Sequence, residues 1–548
     1  MWYNTAMSES GTAEKRELTG TLRGVSLRSP RSLKRTVLLV VFFSASLFSV
    51  AASVEQSGMN RNKTAWDEGA PRFHGPRAFG ATPGRLFRFT FPVCGAREGL
   101  RFSISRGTLP EGVALDPATG VLLGRTSVTG ESRVVVKAMN GAGEASRDFS
   151  LVIGEKSQAL TPPMGWTSWN AFTDEVTQKR VQSAARALVA RGLAAYGYQY
   201  VNIDSCWQGE RTAKDTRALQ PNAAFPDMAG LVRDIHALGL KAGIYSTPMV
   251  VAWGTTAERR YRGGSDYPLD MNYFQRYFGG CGTVGYEACD ARQFADWGFD
   301  WLKYDWPDTD VEHARRMRAA LDATGRDIVL QLCTDCAVKE AEGFVQQAQL
   351  ARGNLDTHDD WNRLFKHNCF NGVDPWLGFI RPGFWYDTDM LVVGSMRIGR
   401  KTSVPQPGEP LPAEFANRLT RAELESHFAW WAIIPSPLFL SCDLERMDDW
   451  TLALVTNEDL LDINQDYPAT AASYEDYESG AKRIWRRTLS DGRRVLGFFN
   501  LNGDVWNISR SLDGPQFVRD ALAQTDLGSL DELKLTIPQH SCRVFLLK

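Results

Sequence analysis

The 548-residue chain predicts an α/β fold, a (β/α)8 barrel with a β-sandwich module before it and an antiparallel β-domain after it. Three observations carry this. Between residues 157 and 466 short apolar runs alternate with amphipathic helical stretches, the pattern of repeated βα units, and eight such units over about three hundred residues make a closed barrel. Residues 70–156 hold only short β-branched or aromatic runs separated by turn residues. Past residue 467 the helical period stops and strand-like runs return up to residue 548. A chain of this length is too long for one hydrophobic core, so division into several units is expected.

Taken in order, residues 1–53 read as a signal peptide region: Arg31, Lys34 and Arg35 precede an apolar stretch from Thr36 to Val50, and Ala51, Ala52 and Ser53 are small residues suited to cleavage. The stretch is shorter than the ~20 residues that span a bilayer and is diluted by serines, so a permanent anchor is the weaker reading. Export to the periplasm or the exterior follows, with no stable membrane insertion after cleavage. Residues 54–69 are polar and aperiodic, a linker. In an exported chain the nine cysteines permit disulfides, with at least one left over; Cys281 with Cys289 and Cys333 with Cys336 are the locally plausible pairs. A zinc site at Cys333 and Cys336 lacks a second ligand pair.

In the first module LFRFTF (86–91), LRFSIS (100–105) and SRVVVKAM (132–139) are strands, with turns at residues 109–112 and 116–120. The barrel strands are expected at 164–169, 200–207, 241–248, 299–306, 327–333, the stretch before Asp356, 383–391 and 437–444. Helical spacing is clear at Val181, Ala184, Ala185, Leu188 and Val189, and again at Met228, Leu231, Val232 and Ile235. The last domain opens with strands at 481–489 and 493–501 and closes with one at 541–548.

A net charge of -2, from 62 basic and 64 acidic residues, gives no reason to expect nucleic acid. Seventeen tryptophans suit flat sugar faces as well as cores. The seven histidines are scattered, and neither a His-Glu-x-x-His helix nor a phosphate-cradling glycine loop occurs, so no metal and no cofactor are expected. The chemistry falls to carboxylates. Cleaving a glycosidic bond with retention needs one as nucleophile and one as proton donor, and in a barrel they sit where strands end. Asp204, Asp305, Asp356, Asp387 and Asp389 all fall at expected strand ends. Lys303, two residues before Asp305, shares its face of the strand, where an ammonium favours the ionised carboxylate. His358, two residues after Asp356, is either a pocket residue or a solvated loop histidine.

TPPMGWTSWNAF (161–172), YVNIDSCW (200–207), LKAGIYSTP (240–248), FADWGFDWLKYDW (294–306), ARGNLDTHDDW (351–361), WYDTDMLVVG (385–394) and INQD (463–466) together resemble glycoside hydrolase family 27, the melibiase-type α-galactosidases. The first module is similar to the immunoglobulin-like module that precedes such catalytic domains, and RDALAQTDLG (519–528) is similar to the family's C-terminal β-domain. The resemblance implies a retaining exo-α-glycosidase that acts on an oligosaccharide or polysaccharide and releases terminal α-galactosyl residues through a covalent glycosyl-enzyme. It makes Asp305 the nucleophile and Asp356 the general acid/base. Trp166, Asp204, Tyr245, Lys303, Arg352, Asp389 and Met390 become substrate-binding residues. Two departures bear on the sugar. The family's paired acids on the second strand read Asp204-Ser205 here, and the acid that many members carry after a cysteine on the fifth strand is Thr334, followed by Asp335. They leave room for another glycoside, a β-L-arabinopyranoside or an α-glucan, or for a non-catalytic secreted carbohydrate-binding protein.

Overall fold

A computed structural model of the chain describes residues 65–212, 217–256, 259–271, 280–406, 408–478 and 480–548, and the side chains of all of these but 366–371. Eight parallel strands form its central sheet: β1 Met164–Thr167, β2 Tyr200–Ile203, β3 Lys241–Ser246, β4 Trp301–Asp305, β5 Val329–Cys333, β6 Leu350–Ala351, β7 Trp385–Tyr386 and β8 Leu438–Leu440. Each pairs with the next from β1 to β7, and β1 pairs with β8 through Met164↔Leu438. Past the end of β7, a parallel bridge between Leu391 and Leu440 closes the ring. Side chains alternate as a pleated strand requires: on β4, Leu302 and Tyr304 join the layer under the helices, while Trp301 joins Tyr200, Val329, Leu350 and Phe439 in the barrel's own core. Lys303 and Asp305 follow Trp301 on that inner face.

The expected strands all form, and the seven with expected bounds are shorter than their apolar runs: most give up their last residues to the loops that build the mouth, whereas the fifth loses only its first two. The sixth is only Leu350–Ala351, so Asp356 stands on the loop beyond it and not at the strand end. Helix α1 (Gln178–Ala190) starts where the Thr177 side chain accepts from the Arg180 N–H, and it buries Val181, Ala184, Ala185 and Leu188. Helix α2 (Met228–Ala237), capped by Asp227, buries Met228, Leu231, Val232 and Ile235. These are the faces the spacing predicts.

The first module is a sandwich of two sheets. Ala78–Ala81, Gly143–Ile153, Gly130–Asn140 and Arg101–Arg106 form one; Phe87–Thr90, Val121–Gly124 and Val113–Leu115 form the other, with Phe89, Phe91, Leu122, Val136 and Phe149 between them. It docks on the N-terminal ends of the barrel strands. Leu86 bridges Arg326 just before β5, Thr90 donates to the Gly239 carbonyl before β3, and the Thr82 N–H donates to Asp327 Oδ2 at 3.3 Å. Lys241 lies 4.6 Å from the Phe79 ring and 4.9 Å from that of Tyr200, and burial pulls its pKa down to about 8. The part of the expected linker that is described, residues 65–69, is tied to this module by Gly95 N–H donating to Trp66 O and Ala96 N–H to Gly69 O.

At the other end six antiparallel strands, among them Lys482–Thr488, Arg494–Asn500 and Ser541–Leu547, bury one face against the barrel through Trp485, Val495, Phe499 and Val544 and the other face in a core of their own. Helix α3 (Arg421–Ile433) lies under that sheet, opened by a capping box of Thr420 and Glu423.

The expected signal peptide region lies outside the described residues. Among the described residues no helix is long and apolar enough to cross a membrane. The expected disulfides do not form: Cys281, Cys289, Cys333 and Cys336 are free thiols. Cys333 ends β5 with its sulfur against the Thr334 hydroxyl at 3.0 Å, whereas the loop at Cys336 is pinned to β6 by its N–H donating to Arg352 O.

On α3, His427 is wholly buried and its Nε2 accepts from the Val392 N–H at 3.0 Å, so the ring is neutral, and burial pulls its pKa down to about 3. Between that value and the unfolded value of about 6.5 the unfolded chain binds more protons, so stability is lost as pH falls through this window at on the order of 1.4 kcal/mol per unit. His427→Gln removes the titration. Its deficit in urea-unfolding free energy relative to the parent, measured at pH 7, is expected to shrink by more than about 1 kcal/mol at pH 5; a constant deficit would show that His427 does not titrate on unfolding.

Candidate active site

At the C-terminal mouth, Asp305 is the last residue of β4 and is buried. Lys303 does not ion-pair with it but donates to Asp204 Oδ2, just past β2, at 2.8 Å. Asp204 is otherwise occupied: Oδ1 accepts from the Ser205 N–H at 2.8 Å and its own N–H donates to Ser168 Oγ at 2.9 Å. Burial opposes the charge on Lys303, yet Asp204, followed by Cys333 and Asp305, holds its pKa above the ordinary lysine value. For Asp305 burial wins. Lys303 and Arg352 favour its ionised form, as the sequence suggests, but burial, with Asp356 and Asp204 adding to it, pushes the carboxyl up to about 6.

Arg352, directly after β6, gathers the neighbouring loops. Its guanidinium is almost fully buried and reaches Asp356 Oδ1 at 2.7 Å, Asp389 Oδ1 at 2.6 Å and the Thr334 hydroxyl. Thr334 in turn donates to Asp305 Oδ1 at 3.2 Å. Asp389, held at a positive φ of 77°, accepts from the Thr357 N–H at 2.6 Å and from its hydroxyl at 3.1 Å, which fixes the residue after Asp356. The Asp356 side chain is 45% exposed, open to the mouth. Burial acts to raise its pKa, but Arg352, then Lys303, hold it below the ordinary carboxyl value. His358, half-buried, has its pKa lowered by burial and by Arg363. Among the described residues no group of His, Cys, Asp and Glu has a metal-binding arrangement.

Known proteins match each part of this architecture. Residues 161–409 match the model of alpha galactosidase A, 479–547 that of the alpha galactosidase C-terminal beta sandwich domain, and 71–154 an Ig domain. Alpha-galactosidase A of Cellvibrio japonicus is 32% identical over 361 residues, 63% of this chain and 78% of that protein. A solved Bacteroides fragilis structure is 29% identical with a TM-score of 0.75 over 89% of this chain and 99% of that one. A β-L-arabinopyranosidase of the same family from Geobacillus stearothermophilus is 26% identical with a TM-score of 0.61, over 71% and 97%. The chain belongs to glycoside hydrolase family 27. It is a glycoside hydrolase of the alpha-galactosidase family, whose members are retaining glycosidases.

Within that family frame the fold gathers eight of the nine expected residues at one mouth, though not all as open contacts; Trp166 lies apart from them, paired with Val201 and Leu440 on the face of β1 turned toward the helices. Trp166 is fully buried, its indole N–H donating to Cys442 O at 2.8 Å and its ring edge-on to Phe172. Tyr245 is a wall residue, with Lys303 5.6 Å from its ring and the Trp253 backbone at its hydroxyl. Met390 packs its sulfur on the Ser441 hydroxyl at 3.3 Å. Asp387, not among the nine, accepts from Gln331 on β5. Ser205 is turned away, fully buried and donating to Trp253 O at 2.7 Å. Sequence reasoning missed Thr357 and Gln331, and it noted Thr334 only as a departure; short polar residues in loops carry no periodic signal. A separate cavity of about 650 Å³ is lined by Phe172, Cys206 and Tyr261 among others, and none of the nine lines it.

Asp389 and Arg352 are a buried pair, and removing one partner strands the other's charge. Asp389→Ala is expected to lower stability by about 3–5 kcal/mol, read from urea unfolding; a change under about 1 kcal/mol would show that the pair does not hold the loops.

Proposed function

We propose that the chain is an exported exo-acting α-glycosidase, with Asp305 as nucleophile and Asp356 as general acid/base, that releases a terminal α-galactosyl or closely related residue from an oligosaccharide or polysaccharide. One observation carries the assignment of roles: a buried carboxyl at the end of β4 and a half-exposed one on the β6 loop are joined through Thr334 and Arg352. In the first step Asp305 bonds to the anomeric carbon as the glycosidic C–O bond breaks, and Asp356 gives its proton to the leaving oxygen. In the second, Asp356 takes a proton from water, whose oxygen displaces Asp305. Tyr245 and Met390 form the walls that hold the sugar, with Asp204, Lys303, Arg352 and Asp389 supplying the charged framework around it, and Trp166 supports β1 from its helix-side face. Export rests on the apolar stretch from Thr36 to Val50.

The two carboxyls titrate as a pair, and the reactive form carries one proton between them. Rising pH removes that proton, so with Asp305 pushed up to about 6, kcat/KM is expected to fall above roughly that pH. Replacing Asp305 by Ala is expected to reduce turnover of the best aryl glycoside by at least ~10³. A slow fluoro-sugar should leave a covalent adduct on Asp305 detectable by mass spectrometry; turnover near the parent rate in the variant, or an adduct elsewhere, overturns the assignment.

The sugar follows from Ser205. A second acid there would offer charge-assisted hydrogen bonds worth roughly 1.5–3 kcal/mol each, whereas the serine hydroxyl is spent on Trp253 O. The grip on the hydroxyls at the far side of the sugar is thereby weakened, so galactose is discriminated less from a ring of matching configuration that lacks the hydroxymethyl group. An aryl β-L-arabinopyranoside is expected to turn over within about tenfold of the α-galactoside or faster, a gap of about 1.4 kcal/mol at most. A galactoside preference of several orders of magnitude would refute this part, and an aryl α-glucoside in the same panel tests the remaining sugar class.

A further inference from the structure

Thr334 follows β5 at a position where its backbone is held independently of its side chain: its N–H donates to Trp306 O at 3.2 Å and its carbonyl accepts from the Thr309 hydroxyl at 2.6 Å. Its hydroxyl therefore points into the site for a reason other than holding the loop. One hydroxyl has one proton and two lone pairs. The Arg352 guanidinium donates to the oxygen, and the proton is directed at Asp305 Oδ1, 3.2 Å away. The Cys333 sulfur, 3.0 Å from the same oxygen, stays a neutral thiol because burial pushes its pKa up.

We propose that Thr334 is a positioning residue of the reaction: by donating to Asp305 and accepting from Arg352, which holds Asp356, it ties the two carboxyls into one hydrogen-bonded line and governs which of them carries the shared proton. This rests on the roles assigned to Asp305 and Asp356 above. A donor to a carboxylate favours the charged form, and a donor polarised by a guanidinium behind it does so more strongly. The other groups around Asp305 leave it in need of such a donor. Lys303 on its own strand and Arg352 beyond β6 favour its charge, but Asp204 beyond β2 and Asp356 on the β6 loop oppose it, Tyr245 on β3 and Cys333 on β5 are neutral, and burial outweighs the two cations. Without the hydroxyl the proton shifts further onto Asp305. The nucleophile is then blocked and Asp356 has none to give.

Thr334→Val keeps the shape and both backbone contacts but removes the hydroxyl; Thr334→Ser keeps the hydroxyl. Folding is checked by thermal melting, and Thr334→Ala replaces the valine variant should that one melt. The pH profile of kcat/KM on the best aryl glycoside is the readout. The valine variant is expected to lose about tenfold or more at its plateau, with the basic limb moved about one pH unit upward, while serine stays within about threefold with the limb in place. A valine limb at the parent's position overturns the proposal even if the rate is reduced, since a merely structural loss lowers the rate without moving the limb. Asp305→Ala, assayed alongside, separates the two levels: a nearly unimpaired Asp305→Ala removes the underlying assignment, whereas an inactive one beside an unmoved valine limb removes only the role of Thr334.

Discussion

Burying the Arg352 guanidinium at the mouth of the barrel is possible only if anions and acceptors close around it, because a charge removed from water costs several kcal/mol unless it is paired. The partners come from three loops: Thr334 after β5, Asp356 after β6 and Asp389 after β7. Three segments far apart in the chain are thereby brought to one point. The Lys303–Asp204 pair does the same for β2 and β4 at 2.8 Å. Side chains that a single strand could not hold in place are fixed before any ligand arrives, which is the condition for a site that gains its rate from preorganised charge.

The same pairing constrains what the sugar meets. Asp204 and Asp389 are engaged with protein on both oxygens, and the Ser205 hydroxyl is turned to a backbone carbonyl. A ligand must compete with those bonds or bind where they leave room. The half-exposed Asp356 is the acid that meets the open mouth most directly, in keeping with a group that exchanges protons with a leaving oxygen and with water. Asp305, by contrast, is shielded, and its shift to about 6 records that burial outweighs the cations placed beside it.

Much of this was legible in the sequence. The inner face of β4 followed from the alternation Trp301, Lys303, Asp305, and α1 and α2 from apolar residues one helical turn apart, because local periodicity is imposed by the backbone itself. The family motifs pointed to nine residues, eight of which the fold gathers at the mouth. What escaped was non-local. The sixth strand is two residues long, and the place of Asp356 beyond it depends on Arg352 and Asp389 meeting across the mouth, which no spacing reveals. The expected disulfides failed for a related reason: two cysteines near in sequence bond only if their sulfurs face one another, and the Cys333 sulfur faces Thr334. The direction of the Asp305 shift was also out of reach, since a motif shows which charges are near but not how much water is excluded.

The N-terminal module packs on the ends of the strands opposite the mouth, through Leu86, Thr90 and Thr82. The molecule therefore has a front and a back. Anything held by the module lies behind the barrel, and a chain threading toward Asp356 arrives from the far side without passing it. A contact made on the module would leave the open end of the barrel free to turn to whatever drifts by.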